Sequence, residues 1–255
     1  MKNLLIENIG NLIQAGVEYL NLFRDPKSYD VMPTWETRFY SIQGIGLLAF
    51  NLYGGSMIKE LTLLEDTYVV FDLETTGLYP NSGDSIIEIG AVKINDGKII
   101  DRFDELINPS KDLNEEIIKI TGISNEMLKD KRNEEEVLND FMKWVGNVPM
   151  VAHNAKFDIS FIDMAFSKYN LGTLKNTVID TLGLSRYLES KERYHNLATL
   201  VKRYEIPWDE EKHHRADYDS EGTALIFLKM LKKLELNKFK TIKDLYKYPF
   251  IVIRK

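Results

Sequence analysis

"TYVVFDLETTGL", residues 67–78, decides how the rest of the chain is read. Tyr68 to Phe71 is an apolar, β-favouring run, as expected of a buried strand, yet it passes straight into Asp72 and Glu74. Side chains alternate faces along a strand, so these two carboxylates project from one side at its carboxyl end. Carboxylates held close raise each other's pKa unless a cation or a shared proton relieves the repulsion, and a divalent metal is the simplest relief. Such an ion, magnesium for example, takes oxygen ligands and usually keeps several waters, so more carboxylates are expected near strand ends or helix starts.

Two later stretches supply them. "VAHNAKFD", residues 151–158, ends a short strand at Ala152 and carries Asp158 into the first helical turn, where the helix dipole favours negative charge. "HHRADYD", residues 213–219, leads into a long helix, with Asp219 in its early turns and His214 in the loop or cap before it. A separation of five residues sets these two apart around a helix, so His214 acts from outside it. The pieces suggest two divalent ions, about 4 Å apart, flanking an in-line phosphoryl displacement. An imidazole titrates near neutrality, which suits His214 as the base that takes a proton from the attacking water.

Outward from these motifs the pattern is of an α/β protein. β-Branched and aromatic runs at 67–73, 85–94 and 98–107 predict three antiparallel strands, the last two joined across "NDG", a hairpin signal. Helical spacing follows at 114–120, 134–145, 155–169, 181–189, 196–204 and about 217–234, with short strands "VPMVA" and "TVID" between. A mixed sheet covered by helices is the expected architecture. Residues 1–66 form an N-terminal extension, 67–235 the main domain and 236–255 a tail that could add an edge strand. Within the extension, residues 1–23 show the spacing of an amphipathic helix, so it is expected to be mainly helical, and Gly54–Met57 reads as a joint or a turn.

Composition narrows the function classes. The absence of cysteine excludes disulfides, thiolate zinc sites and cysteine nucleophiles, and fits a reducing compartment. "MKNLLIENIG" breaks at Glu7 and Asn8 before a signal-peptide core forms, and no apolar run reaches about 18 residues, so a cytoplasmic protein with no membrane partner is expected. The net charge of −6 means that a polyanion would need a local basic patch or bound cations.

Together, "DLETTG", "HNAKFD" and "HRADYD" resemble, in order, the motifs of the DEDDh 3′→5′ exonucleases of the ribonuclease H-like superfamily, over about residues 66–234. "DRFDELINP", "ITGIS" and "VIDTL" add a likeness to the proofreading exonuclease domain of bacterial replicative DNA polymerase C. The resemblance implies a ribonuclease H-like mixed five-stranded sheet flanked by helices. It implies that Asp72, Glu74, Asp158 and Asp219 bind two Mg²⁺ or Mn²⁺ ions and that His214 is the general base. Thr75, beside Thr76, would meet the terminal 3′-hydroxyl through its backbone, and Leu78 would pack on the last base. His153 and Asn154 either line the site or form a hydrogen-bonded structural pair.

Asp163, Asp180 and Asp217 are read as helix caps, turn residues or solvent-facing groups, and His195 and His213 as a helix-start and a loop residue. The implied activity is release of nucleoside monophosphates from single-stranded or frayed DNA 3′ ends, in proofreading, repair or end trimming. RNA trimming on the same fold and an inactive nucleic-acid-binding or adaptor protein are the alternatives. Residues 1–66 match no motif, and contact with a DNA polymerase or another replication or repair protein is one role they could serve.

Overall fold

Tyr68–Thr75 (β3) and Ile86–Asn95 (β4) are almost continuously apolar, and both are strands buried on both faces except at Asp72, Glu74, Lys93 and Asn95, which are half-buried. In this computed structural model the described residues are 37–42, 45–50, 62–209 and 214–252. The chain divides into Met1–Glu60 and Leu61–Lys255. In the first unit Thr37–Ile42 (β1) and Ile45–Phe50 (β2) pair antiparallel, in a stretch to which sequence patterning assigned no element. The expected helix over residues 1–23 and the joint at Gly54–Met57 lie outside the described residues.

The second unit is built on one mixed sheet. β3 pairs antiparallel with β4, and β4 with Lys98–Leu106 (β5). The β4–β5 turn puts Asp96 and Gly97 at φ 48° and 69°, the paired positive φ values that a two-residue hairpin of this type requires and that "NDG" announced. Met150–Ala152 (β6) and Val178–Asp180 (β7) continue the sheet parallel to β3, in the order β5-β4-β3-β6-β7-β8. The last strand, Ile251–Val252 (β8), comes from the tail and pairs antiparallel with β7. It adds a sixth strand to the expected five.

Helices cover both faces. Glu115–Thr121 (α1), Glu134–Val145 (α3) and Leu197–Arg203 (α6) start where Asn114, Asn133 and Asn196 accept a backbone N–H two or three residues inside the helix, which satisfies a donor the first turn leaves open. Ser124 caps Asn125–Leu128 (α2) in the same way. Lys156–Tyr169 (α4), Thr181–Leu188 (α5) and Ala216–Leu236 (α7) complete the set. Odd positions of β3 (Val69, Phe71, Leu73) face one core with Phe141 of α3 and Phe161 of α4. Even positions (Tyr68, Val70) face the other, with Phe227 of α7 and Leu200 of α6. Tyr68 meets Phe227 edge-on at 5.1 Å and donates its hydroxyl to Leu63 O at 3.0 Å.

This alternation positions the chemistry. Asp72 and Glu74 are even, so they follow Tyr68 and Val70 on the α7 side, where the apolar core gives way to the sheet's carboxyl edge. Among the described residues no helix is long and apolar enough to cross a membrane.

Candidate active site

Opposite Asp72 on β4 stands Gly90, and the first turn of α7 rests directly on it. A Cβ at Gly90 would come within 2.0 Å of the Ala216 carbonyl carbon and the Asp217 nitrogen, so only glycine lets the helix start this close to the strand. That approach delivers buried Asp219 to the acid pair. The β3–β4 register shifts between Glu74 and Thr75, the kind of irregularity that re-aims side chains beside functional sites.

Asp158 arrives from the other side. Pairing of β3 with β6 covers Val69 and Val70, and beyond it the backbone N–H of Leu73 is taken by the Asp158 carboxylate from the first turn of α4. The turn that sets Asp158 is fastened by Asp180, which accepts from Asn154 N at 2.9 Å and Ala155 N at 3.3 Å while capping α5 through Leu182 N and Gly183 N. Sequence reading left Asp180 as a helix cap, a turn residue or a solvent-facing group; it caps α5, and its hold on residues 154–155 was not visible at that distance along the chain. Asn154 has φ 63° and contributes its backbone to this turn. The His153 ring engages Thr181 Oγ1 through Nδ1 at 3.0 Å, and burial pushes its pKa down to about 4, so it is neutral and structurally tied.

At the start of α7, His214 is exposed, adopts φ 67° and donates its backbone N–H to Asp219 Oδ2 at 3.3 Å. Ligand atoms of Glu74, His214 and Asp219 all lie within 4.8 Å of one another. Just beyond, Glu88 of β4, fully buried, accepts from Arg215 Nη2 at 2.6 Å, from Arg215 Nε at 3.0 and 3.2 Å, and from Ala216 N at 2.9 Å. Glu88 and Arg215 were not singled out from sequence. A charge inside the apolar run 86–92 was a signal that a counter-charge must exist, although nothing named Arg215 as that partner.

The acids are electrostatically crowded. Burial raises the Asp72 pKa well above the usual range, and the charges of Asp158, Glu74 and Asp219 add to it. Glu74 is raised to about 9 by burial and then by Glu88, Asp219 and Asp158, with Arg215 opposing. Asp158 is raised to about 8 by burial, against the two backbone N–H groups it accepts from. Burial and mutual repulsion thus disfavour the charged form of these acids in the absence of a cation. A set of four carboxylates and an imidazole, made tolerable by positive charge, fits a hard divalent ion.

Beyond the acids, Thr75 and Thr76 are buried and shape the loop: Thr75 Oγ1 donates to Gly77 O at 2.6 Å, and Thr76 exchanges bonds with Ser85 and Asp84. Asp84 crowds Gly77, where a Cβ would meet its carboxylate at 2.3 Å, and it accepts from Tyr79 N. The loop so fixed displays Leu78 and Tyr79, each 66% exposed. Both are large apolar side chains exposed on a braced loop that follows β3.

Residues 69–227 match the family model described as "Exonuclease". A DNA polymerase III of PolC type from Staphylococcus saprophyticus is 49% identical over 177 residues, which is 69% of this chain and 12% of that protein. Among solved structures, Exonuclease X in complex with 5′ overhanging duplex DNA is 26% identical with TM-score 0.51, covering 65% of this chain and 91% of that one. The nuclease domain of 3′hExo, a DEDDh family member bound to rAMP, shares the fold at TM-score 0.58 and 21% identity, covering 67% and 94%. Divalent-metal dependence is general in this family, and the acidic clusters here have suitable donors.

Proposed function

The chain belongs to the exonuclease family, enzymes that hydrolyse phosphodiester bonds, and from that premise we propose that it removes nucleotides from the 3′ end of DNA. The polymerase relative and the DNA-bound Exonuclease X support DNA as the polymer. The observation that carries the site assignment is the convergence of Asp72, Glu74, Asp158 and Asp219, from β3, α4 and α7, beside an exposed His214.

In this reading the four acids would hold two Mg²⁺ or Mn²⁺ ions. Such ions supply charge stabilisation at the phosphoryl oxygens and lower the pKa of water. The chain's own groups do the rest. Glu74 and Asp158 release the protons they otherwise keep, making the cluster anionic when cations are present. His214, at the mouth of the cluster, takes the proton from the attacking water. The bond broken joins phosphorus to the 3′ oxygen of the penultimate nucleotide, and a nucleoside 5′-monophosphate leaves. The Thr75 backbone meets the terminal 3′-hydroxyl, while Leu78 packs on the last base and excludes water there. Asn154 and His153 support this edge of the site through the turn before α4.

The identity of the relative also supports a DNA polymerase as partner; contact with it or with another replication or repair protein through residues 1–66, in a cytoplasmic setting, belongs to the same proposal. The deciding assay follows 3′-labelled single-stranded DNA, duplex DNA and RNA with Mg²⁺, with Mn²⁺ and with chelator. Shortening of DNA from the label, abolished by chelator, is expected. Faster loss of RNA would move the substrate to RNA, and no turnover with any metal would leave a binding protein.

A further inference from the structure

We infer that the buried Glu88–Arg215 pair is the device that positions His214, so that Arg215 and Glu88 are positioning residues for the reaction although neither needs to touch substrate. The inference rests on the reading of His214 as the base.

His214 is not glycine, yet its φ is 67°. A residue in the left-handed region keeps that conformation when its surroundings over-determine it. Its own N–H reaches Asp219 Oδ2 in a long hydrogen bond of 3.3 Å. On the following side the anchoring is shorter and multiple: the Arg215 guanidinium grips Glu88 through Nε and Nη2, and Ala216 N bonds the same carboxylate. Three donors from two consecutive residues thus converge on one carboxylate, which lies on a central strand and is 0% exposed. The chain leaving His214 has one path.

The location of Glu88 ties this clamp to the chemistry. Glu88 is the cross-strand partner of Glu74, so the residue that fixes the base sits in register with a proposed metal ligand. Arg215 also faces Asp104 and Asp217, and its charge is the one that opposes the crowding of acids at Glu74. A buried ion pair is weak evidence for stability, because an apolar pair of similar volume often serves as well. What an apolar pair cannot supply is a directional fork that sets the trajectory of residues 214–216.

The test measures kcat and KM on a 3′-labelled oligonucleotide for Arg215→Gln, Arg215→Lys and Glu88→Gln, each in wild-type and in His214→Ala backgrounds. Calorimetric metal titration and thermal melts accompany them. Arg215→Gln is expected to lower kcat about 10²-fold with KM within about 2-fold, since misplacing one group by about 1 Å has that scale. Arg215→Lys keeps the charge but loses the fork, and about 10-fold is expected. In the His214→Ala background either change should cost less than about 2-fold more, because groups acting as one unit are not additive. Equal fold-losses in both backgrounds, or a rise in KM at constant kcat, would overturn the clamp while leaving His214 as base. Near-wild-type turnover in His214→Ala alone would remove the base assignment, and the clamp with it. Should Arg215→Gln melt below the assay temperature, Arg215→Lys, in which Glu88 keeps a counter-charge, takes its place in the same two backgrounds and is read by the same two outcomes.

Discussion

Two groups of carboxylates lie side by side, meeting where Glu74 of β3 pairs with Glu88 of β4, and they are neutralised differently. Glu88, Asp104 and Asp217 bring ligand atoms within 4.8 Å of one another, as Glu74, His214 and Asp219 do. Into the first of these groups the chain inserts its own cation, Arg215, bonded through both Nε and Nη2 to the one member that is fully buried. Asp72, Glu74 and Asp158 instead have pKa values pushed up by burial first, and at Asp72 and Glu74 also by the neighbouring carboxylates. An acidic cluster alone therefore says little: the same side-chain types bind the chain's own arginine in one group, and in the other form the proposed cation site, where positive charge would come from solution.

The contrast is broken most severely by removing acids from the proposed cation site. Asp72→Ala or Asp219→Ala should reduce turnover about 10³-fold or more, measured on a 3′-labelled oligonucleotide, with the fold retained by circular dichroism. His214→Ala comes next, with a loss of about 10²-fold expected from losing a general base.

A subtler separation uses pH. Glu74 at about 9 and Asp158 at about 8 lie above their unfolded values near 4, so the folded protein without metal binds more protons than the unfolded one. Their contribution to stability is complete below about pH 4 and is lost as pH rises through 8 and 9. Added Mg²⁺ or Mn²⁺ holds the deprotonated form, so the metal-induced rise in Tm should be larger at pH 8 than at pH 5, by about 5 °C. An equal rise at both pH values would mean that ions bind elsewhere.

The smallest effect belongs to Asp104, the exposed member of the cluster that has its arginine. Asp104 is exposed, and its pKa is raised to about 6 by partial desolvation and by Glu88 and Asp217. Asp104→Asn should change the rate by less than about 2-fold and stability by at most about 0.5 kcal/mol. A loss comparable to that of Asp72→Ala would dissolve the distinction between the groups.

Most of the second unit was legible in the primary structure, for identifiable reasons. β3, β4 and β5 announce themselves through apolar runs and "NDG", and the helices from 114 to 236 through spacing backed by Asn caps at 114, 133 and 196. Strand alternation sufficed to pair Asp72 with Glu74. Elements of a few residues were harder: α2 is a single turn, and β8 has two residues whose place depends on β7. Within the site, the groups that sequence missed act across the chain. Asp180 bonds residues 26 and 25 positions earlier, and Glu88 bonds one 127 positions later. No local pattern encodes such reach, although a charge and a glycine inside "IIEIG" were both anomalies in a buried strand.

The seat that Gly90 offers to α7 has a further consequence. A descendant carrying alanine there would keep every acid, the imidazole and its whole charge inventory, while one added methyl wedged the helix, and Asp219 with it, away from the sheet. Such a chain would look competent by its motifs and be disarmed by its sterics, so a motif census of related sequences should check this empty position before it counts carboxylates.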